Sequence, residues 1–130
     1  MPRRASAYPT QAELEILNVL WAGGTGTVRD VHGRLQSDLH RTSLTTTLKM
    51  LQVMTDKGLT RRSDTRPHRY SPAMPQRQAQ AGMLRDMVQR VFDGSVRKML
   101  VRAVEDIGVS PRELADVRKL LNQIGKGRGE

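Results

Sequence analysis

The chain has 130 residues, a formal net charge of +9 at pH 7, no cysteine and only 3% aromatic residues. This length allows one domain, or a compact head with a helical appendage. The lack of cysteine excludes disulfides, thiolate chemistry and cysteine-ligated metal sites, and it predicts a reducing, cytoplasmic location. The positive charge favours a polyanionic partner. The scarcity of aromatic rings argues against a stacking platform for single strands.

The sequence contains no sign of membrane attachment. No apolar stretch is long enough to cross a bilayer, and Trp21 and Phe92 fall in segments typical of packed helices. The basic N-terminus has no apolar stretch behind it, so it is not a secretory signal. We therefore expect no membrane partner, and a flexible basic arm over residues 1–9.

Three helices are predicted in the first half of the chain. Thr10 and Glu13 form a capping-box pattern before the first, and Thr27 caps the second, with Asp30 near its positive end. The third follows the polar stretch 36–42 and runs from about Ser43 to Lys57. Apolar residues recur at helical spacing: Leu14, Leu17, Leu20 and Trp21, with Ile16 on the flank; Val28, Val31 and Leu35; and Leu44, Leu48, Leu51 and Met54.

A basic hairpin is predicted after the third helix. Residues 59–62 and 68–71 have the composition of short strands around a turn at residues 63–67. Pro72 and Pro75 end the hairpin, because proline continues neither a strand ladder nor a helix. Three helices and a hairpin in this order indicate a winged helix-turn-helix domain over residues 10–72.

The second half is predicted to be wholly helical, which makes the fold mostly α with one small β-hairpin. The helices cover about 76–91, 95–108 and 110–124, the last opening on a Ser-Pro-Arg-Glu capping box. Residues 73–124 are expected to form a dimerisation domain, and 125–130 a frayed tail. Three short helices cannot bury this many apolar side chains among themselves, which indicates an interface, and a homodimer is its simplest form. The expected dimerisation residues are Leu84, Met87, Val88, Val91, Val96, Met99, Leu100, Val104, Leu114, Val117 and Leu121.

Two groups of residues are suited to double-stranded DNA. The third helix is rich in threonine, a poor helix former, and its hydroxyls and lysine suit base edges and phosphates. The hairpin is strongly basic, which suits a DNA backbone or a minor groove. A solvated polar face is the alternative for the helix. The candidate residues are Arg41, Thr42, Ser43, Thr45, Thr46 and Lys49 on the helix, and Arg61, Arg62, Arg66, His68 and Arg69 on the hairpin.

No metal, cofactor or catalytic group is predicted. The methionines coincide with apolar stripes, so packing is favoured over a soft-metal site. His32, His40 and His68 lack the spacing of metal ligands. The sequence contains no nucleophile elbow, phosphate-binding glycine loop or HExxH motif, so an enzyme is the least favoured class. A protein-interaction adaptor built on a winged helix and a double-stranded RNA binder remain as rivals of a DNA-binding repressor.

Three segments of the head resemble the penicillinase-repressor (BlaI/MecI-like) family of bacterial transcriptional regulators. They are residues 12–21, 45–59 and 66–72, and two further segments, 92–95 and 110–114, are similar to a looser family pattern. The resemblance covers roughly residues 8 to 123. It implies a homodimeric repressor that binds a palindromic operator upstream of its target genes.

The same resemblance implies two routes of release from DNA, and this chain departs from both. Family members of the drug-resistance type are cleaved at an Asn-Phe pair after a membrane-bound sensor protease is triggered, whereas this chain has Arg102-Ala103 there. Others respond to copper through cysteines, which this chain lacks. The DNA-reading face of the family falls on Thr46, Lys49 and Val53, and Val53 stands where the family often has arginine.

Overall fold

The computed structural model describes residues 9–35 and 41–127. It has six α-helices and one two-stranded sheet in the described residues, which confirms the predicted fold class. Most of the basic arm, residues 36–40 and the last three residues lie outside the described ranges. In chain order the elements are α1 (Gln11–Gly23), α2 (Val28–Arg34), α3 (Leu44–Asp56), β1 (Thr60–Arg62), β2 (Tyr70–Pro72), α4 (Gln76–Val91), α5 (Val96–Arg102), a π-helical segment (Ala103–Ile107) and α6 (Pro111–Gly127).

The contacts divide the chain into two units, Met1–Leu84 and Arg85–Glu130. We call the described part of the first unit the head and that of the second the C-terminal unit. The domain limits expected from the sequence stay predictions. Among the described residues, no helix combines the length and the apolar character that crossing a bilayer requires.

Each of the first three helices begins at a side-chain cap, and the caps of α1 and α2 are the predicted Thr10 and Thr27. Thr10 Oγ1 accepts a hydrogen bond from the Glu13 N–H at 3.2 Å, and a Glu13 carboxylate oxygen accepts one from the Thr10 N–H at 2.9 Å. Thr27 and Asp30 make the same reciprocal pair at 3.2 and 3.0 Å. Ser43 Oγ accepts from the Thr46 N–H at 3.2 Å and starts α3. Each cap satisfies N–H groups that have no partner within the helix.

The core of the head lies between its three helices and β2. Its buried members are Ile16, Leu17, Leu20, Val31, Leu35, Leu51, Met54, Leu59 and Tyr70. Ile16, which the sequence places on the flank of the apolar stripe of α1, is 0% exposed. Because α1 packs against both α2 and β2, its buried stripe is wider than one row of side chains, and Ile16 falls inside it.

The hairpin is antiparallel, with Arg61 opposite Ser71 and Arg62 opposite Tyr70. Pro72 is the last residue of β2 and faces Thr60, so the ladder extends one residue further than the proline predicted. Proline is tolerated there because it ends the strand. The backbone of Tyr70 also exchanges two hydrogen bonds with Gly26, at 2.7 and 3.1 Å. This bridge, which the sequence did not predict, ties the wing to the segment between α1 and α2.

Two polar contacts fix α3 against the other helices. His32 Nδ1 of α2 lies 2.8 Å from the hydroxyl of Thr47, which is buried on the inner side of α3. At the other end of α3, Lys57 Nζ lies 2.8 and 2.9 Å from the two carboxylate oxygens of Glu13 on α1. Glu13, predicted from the sequence only to cap α1, therefore also holds the C-terminal end of α3.

The C-terminal unit differs from the sequence prediction in two places. The helix that begins at the Ser95 cap changes to a π-helical segment at Ala103 before it ends at Gly108, where φ is +92°. The last helix continues through Gly125 to Gly127 instead of fraying at Gly125. A glycine inside a helix costs only about 1 kcal/mol, so one glycine is a weak stop signal without a left-handed cap.

The Glu13–Lys57 pair makes the stability of the head depend on pH. Burial raises the pKa of Glu13, but hydrogen bonds from Lys57 and Thr10 and the Lys57 charge outweigh it, so the pKa lies below its ordinary value of 4.5. A carboxyl with a lowered pKa stabilises the folded state fully above its unfolded pKa. That contribution is lost as the pH falls through the folded pKa.

Glu13→Gln is therefore expected to lower the free energy of unfolding at neutral pH by about 1–3 kcal/mol, and by much less at about pH 3. Urea unfolding followed by the fluorescence of Trp21, the single tryptophan, measures both values. The control is Asp106→Asn, which breaks an exposed pair with Arg102 at 3.3 Å and should cost less than about 0.5 kcal/mol. If Glu13→Gln lowers the free energy of unfolding equally at both pH values, the pH dependence does not come from the Glu13–Lys57 pair.

Candidate nucleic-acid interface

Helix α3 presents one buried side and one exposed polar side. Thr47, Leu51 and Met54 are buried in the head, whereas Thr45, Thr46 and Lys49 are exposed. A helix turns about 100° per residue, so the three exposed residues share the side away from the core. The threonine cluster therefore has two roles, because Thr47 bonds to the core-side histidine while its neighbours face outward.

The residues just before α3 differ in exposure and in their contacts. Arg41 is exposed, and Thr42 is half-buried. Ser43 is exposed, but its hydroxyl caps the helix and lies 3.1 Å from the Thr46 hydroxyl. The Ser43 hydroxyl therefore has a structural role as the cap of α3. The sequence pattern predicted Ser43 as a DNA contact and did not distinguish the two roles.

Four arginines of the hairpin are exposed, and one of them is anchored. Arg61 and Arg62 lie on β1, and Arg66 lies in the turn. Arg69 Nη2 donates to the Thr25 carbonyl at 3.0 Å. Three of the four guanidinium groups therefore extend from the wing without a long-range contact to the helices in the described residues.

His68 organises the turn of the wing rather than simply extending from it. Its Nδ1 lies 2.8 Å from the Ser63 carbonyl and must donate to it, while Nε2 lies 3.2 Å from Arg66 Nη1 and accepts from it. These two bonds define the neutral tautomer with its proton on Nδ1. His68 thereby positions the Arg66 guanidinium at the tip of the hairpin.

The wing is held at a fixed place beside α3. Gly58, with φ at +83°, ends the helix and turns the chain into β1. The hydroxyls of Thr55 on α3 and Thr60 on β1 lie 2.9 Å apart. With the Gly26–Tyr70 bridge on the other strand, the hairpin is attached to the helices on both edges.

The C-terminal unit carries a large apolar surface. All but two of the predicted dimerisation residues are exposed: Met99 is half-buried, and Val88 is only 7% exposed. The dimerisation set as a whole stays a prediction. Four further large apolar side chains of this unit are exposed in one chain: Val101, Ile107, Leu120 and Ile124.

No group of three or more histidine or acidic residues that could hold a metal ion occurs in the described ranges. His32 contacts Thr47 and His68 contacts the wing turn, while His40 lies outside those ranges. Met54 is in the core of the head, and Met87 and Met99 line an open groove of about 860 Å³ in the C-terminal unit. The predicted packing role of Met54 is confirmed.

Comparison with known proteins places the chain in a family. The model of the penicillinase repressor family matches residues 9–123. A search of the curated proteins found no match. Among solved structures, the chain is similar to a MarR family transcriptional regulator from Silicibacter pomeroyi DSS. The two are 22% identical with a TM-score of 0.42, and the match covers 89% of this chain and 68% of that chain.

The family match covers both units of the chain and agrees with the sequence resemblance. The family consists of transcriptional repressors that bind operator DNA and are not enzymes. The adaptor, RNA-binding and enzyme alternatives are therefore not retained. The chain belongs to the penicillinase repressor family of DNA-binding transcriptional repressors, which includes regulators of antibiotic resistance.

Proposed function

We propose that this repressor binds a palindromic operator as a homodimer, with α3 of each head in the major groove and the wing on the backbone or in the minor groove. The observation that carries the proposal is the exposed row of Thr45, Thr46 and Lys49 on a helix whose other side is locked into the core. A recognition helix of this kind reads base edges in helix-turn-helix proteins.

The exposed side of α3 has the chemistry for reading bases. A threonine hydroxyl bonds to base edges or phosphates, and its methyl packs against a thymine methyl. Lys49 reaches the O6 and N7 acceptors of guanine, which are the commonest targets of a basic side chain in the major groove. Discrimination between sequences is assigned to Thr45, Thr46 and Lys49, with Arg41 and Thr42 at the helix start placed near phosphates.

The wing supplies affinity more than selectivity. Arg61, Arg62 and Arg66 are exposed, and each phosphate that they neutralise releases condensed counterions. Binding should therefore weaken steeply with added salt. The Arg69 bond to the Thr25 carbonyl and the His68 bond to Ser63 assign these two residues to shaping the wing, with the outer guanidinium groups contacting DNA.

The dimer is proposed from the exposure of the apolar side chains of α6. In a single chain none of its side chains is buried, and its apolar row Leu114, Val117, Leu121 and Ile124 is 38–53% exposed. Helices in proteins are stabilised mainly by packing an apolar face, so α6 requires a covering surface. A second copy supplies an equally apolar one, and a two-fold axis would place two heads on a palindrome.

Proteolytic release from the operator is not carried over from the family resemblance, because Arg102-Ala103 stands where the family has its Asn-Phe cleavage pair. A sensor protease stays an open partner only. The peptide bond between Arg102 and Ala103 joins α5 to the π-helical segment, and Arg102 pairs with Asp106 across it. A protease binds its substrate as an extended strand, so cleavage at this bond requires the helix to open first.

Selection of bound duplexes from a random DNA pool at near-physiological salt tests the proposed function. The expected result is a two-fold-symmetric site whose half-sites are centred about 10 base pairs, or a multiple of that, apart. An enriched site without symmetry would contradict the dimer. Failure to enrich any sequence would contradict sequence-specific binding by α3.

Lys49→Ala is expected to weaken binding to the selected site far more than binding to random DNA, by about 1–3 kcal/mol for each base pair that Lys49 reads. The dissociation constants of both duplexes, measured at one salt concentration, give the comparison. Lys119→Ala is the matched control, because it removes the same charge from an exposed position on α6. Equal weakening on both duplexes would show that Lys49 contacts phosphate alone.

A further inference from the structure

Val53 on α3 is an apolar side chain that the core of the head leaves exposed. It is 49% exposed, and no other large hydrophobic residue in the described chain before Leu84 is classed as exposed. The rest of the apolar side of α3 packs into the core through Leu51 and Met54. Packing within the head therefore leaves about half of the Val53 side chain free to contact a partner.

Helix geometry places Val53 on the side of α3 assigned to base reading. Val53 lies seven residues beyond Thr46 and four beyond Lys49, which at about 100° per residue puts it within roughly 20° and 40° of them around the axis. All three are exposed. Asp56, three residues later, is exposed and ends the helix. Phosphates would repel its carboxylate, so the reading side ends near Val53.

The major groove offers one apolar complement to such a side chain. Base edges there present hydrogen-bond donors and acceptors, except for the C5-methyl group of thymine. We propose that Val53 is a specificity residue that packs against a thymine methyl in each half-site. This inference rests on the proposed function, because it requires α3 to lie in the major groove. The selectivity of this repressor is then partly apolar, with a valine and a methyl group excluding water between them.

The spacing along α3 locates the expected thymine. In zinc fingers, contact residues spread over about seven helix positions meet three successive bases of the major groove. The thymine read by Val53 should therefore lie two to three base pairs from the pair contacted by Thr46, given the spacing of such contacts. Lys49 contacts a position between them.

Replacing thymine by deoxyuridine tests the contact, because uracil differs only in lacking the methyl group. Each thymine of the selected site is replaced in turn, symmetrically in both half-sites, and dissociation constants are measured. Removing one buried methyl group corresponds to about a fourfold change in an equilibrium constant. At one position, replacement by uracil should lower the affinity of the unaltered protein about fourfold per half-site, or roughly fifteenfold in all.

Two variants show whether the effect belongs to Val53. Val53→Ser leaves no methyl group at the position and should bind the thymine and uracil duplexes equally. Gln52→Ala changes an exposed neighbour and should keep the full uracil penalty.

In a second arm, cytosine and 5-methylcytosine replace the same thymine. The unaltered protein should favour the methylated base by the same factor, and Val53→Ser should not.

The outcomes separate this contact from the function on which it rests. A uracil penalty that persists in Val53→Ser, or no uracil penalty at any thymine of a well-bound site, would overturn the role of Val53 and leave operator binding intact. If no duplex is selected at all, both the operator proposal and the Val53 contact are overturned.

Discussion

Helix α3 is fastened at both ends to helices that precede it in the chain. His32 of α2 contacts Thr47 near its start, and Glu13 of α1 pairs with Lys57 at its end. Between these two polar contacts Leu51 and Met54 are fully buried. One side of α3 is thus fixed completely, which fixes the direction of the opposite side. The preorganised row of polar side chains that we assign to the operator follows from this attachment.

The C-terminal unit differs from the head in how little of its apolar surface one chain buries. The apolar rows of α4, α5 and α6 are largely exposed, and Ile107 reaches 85%. In the head, a core of buried side chains forms within a single chain. We therefore expect folding of the C-terminal unit to depend on protomer concentration. The head should keep its structure in either state, since its core and its anchoring contacts involve its own residues alone.

Local chemistry was predictable from the sequence, and distant pairing was not. The caps at Thr10 and Thr27 depend on residues three positions apart, so a motif reveals them. The Glu13–Lys57 pair spans 44 residues, and a sequence pattern does not show which carboxylate meets which lysine. The outward side of α3 was predictable from its threonines. The burial of Ile16 and Val88 was not, because both depend on which neighbouring elements pack against their helices.

The central claim is that α3 of two heads occupies the major groove of one operator, and site-directed cleavage tests it most directly. Because the chain has no cysteine, Gln52→Cys on the exposed side of α3 gives a single attachment point for an iron chelate that cuts nearby DNA. The account predicts two symmetric cleavage centres, one in the major groove of each half-site, about 10 base pairs or a multiple apart. Cleavage at one centre, or evenly along the duplex, would contradict it.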